Sequence, residues 1–120
     1  MTKLILTDGE NTFETWLPVD LLKNLHNVLP RPVVRDGNGK LATHYSLRDW
    51  YLKLQEEIFE VSESIMEDVH AEITAEEIAD VITVCISWLE TLGYDEGKRS
   101  ELFAKVNMKN EKRGYFKEND

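Results

Sequence analysis

From Ser46 to Gly93 the chain carries two successive apolar repeats at helical spacing, which restricts this half of the sequence to packed helices. Leu47, Trp50, Tyr51, Leu54, Ile58, Val61 and Ile65 recur at i, i+3, i+4 and i+7, which predicts a helix of about five turns. Ser46, three residues before Asp49, supplies N-cap chemistry at its start. After a polar break at 67–73, Thr74 and Glu77 predict a second capping box. The helix it opens carries Ile78, Val81, Ile82, Cys85, Leu89 and Leu92 on one stripe, with Gly93 as its C′ terminator. Asp95 caps a last helix bearing Leu102, Phe103 and Val106, which ends near Gly114. The expected fold class is all-α, a bundle of three to four main helices whose core is residues 46–120. The stretch around Trp88 is apolar on nearly all sides (Val81, Val84, Ile86), so a second copy of the chain is expected to cover it.

Residues 1–45 differ in texture and form an N-terminal extension. They hold Pro18, Pro30 and Pro32 and three of the six glycines. KLILT, DGEN and TFETWLP read as a short β-hairpin turning at Asp8-Gly9. VDLLKNLHNVL (19–29) has helical spacing and stops at Pro30, while VVRDGNGKLA (33–42) reads as a second hairpin or an exposed loop.

Composition narrows the function classes. A formal charge of −9 excludes nucleic-acid binding by direct phosphate neutralisation, which needs basic patches. Anionic nucleotides stay accessible to such a chain if divalent cations mediate the contact. Cys85 is the single cysteine, so no disulfide framework is expected and a reducing compartment fits. MTKLILTDGENTF lacks the apolar core of a signal peptide, and no run is long and apolar enough to span a membrane. The expected location is cytoplasmic.

The acidic residues of the two central helices fall into a pattern. At 100° per residue, Glu57 lies roughly 70° and Glu60 roughly 130° from a stripe centred on Leu54, Ile58 and Ile65, both on one side. Glu56 points away from the core. On the next helix Glu77 lies about 90° and Asp80 about 150° from the stripe centre, again on one side. Antiparallel packing of the two helices brings these four carboxylates together. A Glu-rich helix face is ordinarily only a solvated face, and Glu77 has a structural task in the Thr74 box. Four half-buried carboxylates, however, repel one another unless protons or cations intervene. Hard oxygen donors suit Mg²⁺, with Mn²⁺ as a substitute, and Mg²⁺ recruits phosphate oxygens, which points to a phosphorylated ligand.

The combination Glu56-Glu57-x-x-Glu60 followed by Glu77-x-x-Asp80 resembles the EExxE…ExxD signature of the all-α nucleoside triphosphate pyrophosphohydrolases, the MazG-like and dimeric dUTPase-like superfamily. LQEEIFEVSESI is similar to that family's first metal-binding helix and EEIADVITVCISWLETLGYD to its second. VNMKNEKRGYF looks like its Lys/Asn/Arg segment, so the resemblance spans about residues 46–116. It implies Glu57, Glu60, Glu77 and Asp80 as Mg²⁺ ligands, with Glu56 a weaker candidate, and Glu57 or Glu60 as the catalytic group that orients water. It implies Lys109, Asn110 and Arg113, with Lys105 a weaker candidate, as binders of the substrate polyphosphate. The implied reaction cuts a nucleoside triphosphate between its α and β phosphates, and the implied assembly is a homodimer or homotetramer.

Other features are set aside. GNGK (37–40) lacks the first glycine and the Ser/Thr of a phosphate-binding loop. Trp50 and Trp88 sit at core spacing, His26, His44 and His70 are scattered, and Cys85 has no basic neighbour to activate it. A reading from another class also fits the charge: a non-catalytic helical protein whose acidic face binds a basic partner or mimics nucleic acid.

Overall fold

Among the described residues, each of three α-helices begins or ends where side-chain or glycine chemistry satisfies its free backbone groups. The computed structural model describes residues 2–7, 12–17, 28–67 and 70–118. Helix α1 (Leu47–Met66) opens with a complete capping box: Ser46 Oγ accepts from the Asp49 amide at 3.1 Å, and the Asp49 carboxylate accepts from the Ser46 amide at 2.9 Å. Helix α2 (Ala71–Thr91) closes at Gly93, whose φ of 93° favours a residue without a Cβ, and the Tyr94 amide returns to the Leu89 carbonyl at 2.9 Å. Helix α3 (Glu96–Lys112) is capped by Asp95 through the Lys98 amide at 3.0 Å and ends before Gly114. These three helices make an all-α bundle.

One expected start is corrected. Helix α2 begins at Ala71, so Thr74 and Glu77 lie inside its first two turns and form no capping box. Thr74 Oγ1 instead pairs with Ser64 Oγ at 3.0 Å across to α1. The helix extends upstream of the local capping signal because Ala71, Glu72 and Ile73 are compatible with helix and tertiary packing decides the rest.

At the N-terminus, β1 (Thr2–Thr7) pairs antiparallel with β2 (Thr12–Leu17), Thr2 opposite Leu17 and Thr7 opposite Thr12. The expected helix at 19–29 falls mainly outside the described residues; Val28 and Leu29 are in neither helix nor strand. Residues 33–42 form a small turn closed by an antiparallel bridge between Arg35 and Leu41, with Asp36 Oδ1 accepting from the Asn38 and Lys40 amides. This segment reaches α2, where the Val33 amide donates to the buried Ser87 hydroxyl at 3.0 Å.

Helices α1 and α2 pack antiparallel, and their seam changes character along its length. At one end Trp50 (2% exposed) packs with Val84 and Ala42, supported by Tyr45, Leu54 and Trp88. At the other end the Ser64–Thr74 hydroxyl pair joins the helices. The buried positions of α1 are Trp50, Glu57 and Ser64, spaced by seven residues. The expected core stripe is therefore rotated. Leu54 faces the core, but Leu47 (65% exposed), Ile58 (51%) and Ile65 (65%) lie open beside the seam, as does Tyr51. Trp50 fixes this rotation: seating the largest side chain of α1 against Val84 turns the Leu47–Ile58–Ile65 line outward.

Candidate metal centre

The spacing that seats Trp50 also carries Glu57 into the seam two turns later. Glu57 is 9% exposed, a rare position for a carboxylate. Glu60 follows one turn on and is half-buried. From α2, Glu77 and Asp80 approach with the same i, i+3 spacing, Glu77 half-buried and Asp80 exposed. One carboxylate oxygen from each of the four lies within 4.8 Å of the others. The cluster sits in the seam between the aromatic core at Trp50 and the hydroxyl pair at Ser64.

Protein groups leave this cluster under-satisfied. Glu57 Oε2 and Glu77 Oε2 are buried and have no hydrogen-bond partner. A buried carboxylate oxygen without a donor is costly, so both oxygens call for a cation or a proton. Burial pushes the Glu57 carboxyl above its usual value, and the neighbouring Glu60 adds to the rise. Lys53 opposes it, its Nζ lying 3.3 Å from Glu57 Oε1 and 3.6 Å from Glu56 Oε2. Four carboxylates, two of them with a buried oxygen that has no protein partner, and no sulfur or imidazole in the set, fit a hard divalent cation.

The structure brings Glu57, Glu60, Glu77 and Asp80 together and leaves Glu56 outside. Glu56 is exposed, pairs with Lys53 and lines a shallow cleft with Asp36, Lys40, Tyr45 and Asp49. Lys109, Arg113 and Lys105 are exposed on or just beyond α3, and Asn110 is half-buried. Among the described residues no hydrogen bond or ion pair joins these four to the cluster. Helix α3 is tied instead to the end of α2, where the buried Arg99 guanidinium pairs with Glu90 and donates to the Tyr94 carbonyl at 2.7 Å. Lys53 is the residue of this neighbourhood that sequence reasoning does not single out. Its i, i+4 spacing to Glu57 was the available signal.

Comparison of the chain with protein-family models, with curated proteins and with solved structures returned no match. The reading of this site therefore stands on its residues and their geometry.

Proposed function

We propose that this chain is a Mg²⁺-dependent nucleotide pyrophosphohydrolase that cleaves a nucleoside triphosphate to a monophosphate and pyrophosphate, with Mn²⁺ able to substitute. One observation carries the reading: four carboxylates from two helices converge within 4.8 Å, and two of their buried oxygens have no protein partner. The choice of a nucleotide as substrate rests on the resemblance of EEIFE and EIAD to the pyrophosphohydrolase signature. A divalent cation held here supplies positive charge against a polyphosphate and acidifies water.

In this reading Glu57, Glu60, Glu77 and Asp80 are the cation ligands. A free oxygen of Glu57 or Glu60 orients the attacking water and takes up its proton. Lys109, Asn110 and Arg113, with Lys105, bind the phosphates and stabilise the leaving pyrophosphate. Among the described residues no hydrogen bond or ion pair joins them to the cluster, so in this reading α3 shifts or a second copy supplies them. A homodimer or homotetramer also accounts for the open line of Leu47, Tyr51, Ile58 and Ile65, since apolar rows of this kind mark interfaces. Among the described residues no helix is long and apolar enough to cross a membrane.

The rival reading, an acidic surface displayed to a basic partner, is disfavoured by burial. Glu57 Oε2 and Glu77 Oε2 cannot be presented to a macromolecule while they lie inside the seam. A panel of ribo- and deoxyribonucleoside triphosphates with Mg²⁺, scored for monophosphate and pyrophosphate, tests the proposal. Wild type is expected to release both from at least one nucleotide, and Glu60→Gln and Asp80→Asn to lose that release while staying folded. Turnover of no nucleotide, or undiminished turnover by both variants, would overturn it.

A further inference from the structure

Lys53 occupies a distinctive place. It lies on α1 one turn before Glu57, half-buried, with its ammonium shared between the inward Glu57 (3.3 Å) and the outward Glu56 (3.6 Å). No other Lys or Arg among the described residues pairs with a cluster carboxylate. Four ionised carboxylates bring four negative charges and Lys53 returns one. It is thus the protein's own partial substitute for a cation.

We propose that Lys53 is the resident counter-ion of the cluster and a positioning residue for cation loading. In the cation-free protein its ammonium holds Glu57 Oε1 and offsets part of the mutual repulsion. An arriving divalent cation competes with it for Glu57, and Lys53 then shifts its weight to Glu56, the partner it already touches. Glu56 is exposed, so this second ion pair costs little desolvation and gives Lys53 a place to go. The conspicuous extra acid of the Glu56-Glu57 pair thereby has a use other than ligation: it makes the exchange easy. Affinity for the divalent cation is set by the difference between the two Lys53 partners. The inference rests on the proposed cation site and adds the residue that tunes it.

The two neighbours of Glu57 should shift affinity in opposite directions, which a purely structural role for either does not produce. Titration calorimetry with Mg²⁺ or Mn²⁺ alone, on full-length protein at fixed ionic strength, reads this directly. Removing a unit positive charge a few ångströms from a divalent cation is worth about tenfold even at the dielectric of water. Lys53→Met should therefore bind about tenfold more tightly than wild type, and Lys53→Arg close to wild type. Glu56→Gln should bind more weakly, because Lys53 then stays on Glu57. In a Lys53→Met background the Glu56→Gln change should alter affinity by less than about twofold, since Glu56 acts through Lys53. Circular dichroism melts confirm that each variant is folded. If wild type binds the cation and Lys53→Met binds it equally or less well, Lys53 is no competitor and this inference falls alone. If Glu56→Gln weakens binding as much without Lys53 as with it, Glu56 is a ligand and the exchange is wrong. Failure of wild type to bind either cation would remove the functional reading and this inference together.

Discussion

Replacing Glu57 by Gln removes one charge from a seam that holds four, and the consequence for stability can be worked from the geometry. The Glu57 ligand oxygen lies within 4.8 Å of an oxygen on each of Glu60, Glu77 and Asp80. At that separation two unit charges repel by about 0.9 kcal/mol at the dielectric of water, and by more in a buried seam. Three such neighbours give roughly 2.6 kcal/mol of repulsion. Attraction to Lys53 at 3.3 Å offsets about 1.3 kcal/mol of it. Both terms vanish in Glu57→Gln, so the cation-free variant should gain roughly 1 kcal/mol, or about 4 °C in Tm for a chain of this length. The gain should disappear when Mg²⁺ is added, because wild type is then stabilised by binding and the variant is not. Thermal melts with EDTA and with Mg²⁺ give the four values needed. A variant that melts below wild type in EDTA, and still rises as far with Mg²⁺, would refute the idea that repulsion at this cluster is relieved by a cation.

Three further outcomes follow from the packing. Trp50→Ala should cost about 3–5 kcal/mol in denaturant unfolding, because it empties the one fully buried aromatic position at the α1–α2 seam; a loss below about 1 kcal/mol would contradict the assigned core. The Tyr45 hydroxyl is pushed up to about 12 by burial and by the hydrogen bond it donates to Asp36 at 2.7 Å. Its contribution to stability is accordingly intact below pH 10 and lost as pH rises toward about 12. The phenolate absorbance missing in Tyr45→Phe should show a midpoint near 12, and a midpoint at the ordinary 10 would remove the Asp36 contact. Ile58→Lys together with Ile65→Lys should lower the mass measured by light scattering if those exposed side chains face a second copy. An unchanged mass would place any interface elsewhere.

Legibility in the sequence follows the range of the interaction. Ser46 with Asp49, Gly93 and Asp95 mark helix ends through contacts spanning a few residues, and each acts where its chemistry places it. The four carboxylates were legible for a related reason: i, i+3 pairs bordering the buried faces of two neighbouring helices meet once those helices pack antiparallel. The rotation itself was not legible. Whether α1 turns Ile58 or Glu57 toward α2 depends on the fit of Trp50 against Val84, which no spacing rule contains. Thr74 misled because its hydroxyl satisfies Ser64 across the seam rather than a free amide at its own helix end. The Lys/Asn/Arg segment at the end of α3 was singled out by its resemblance to a family motif, and a motif of that kind says nothing about which face of the bundle a terminal helix takes.

A Mn²⁺-soaked crystal, examined by anomalous scattering, bears on the carboxylate cluster more directly than any activity. The expected result is a peak within coordination distance of Glu57, Glu60, Glu77 and Asp80, with Lys53 turned toward Glu56. Ordered Mn²⁺ elsewhere in the crystal, and no peak among these four carboxylates, would show that the seam holds protons rather than a cation.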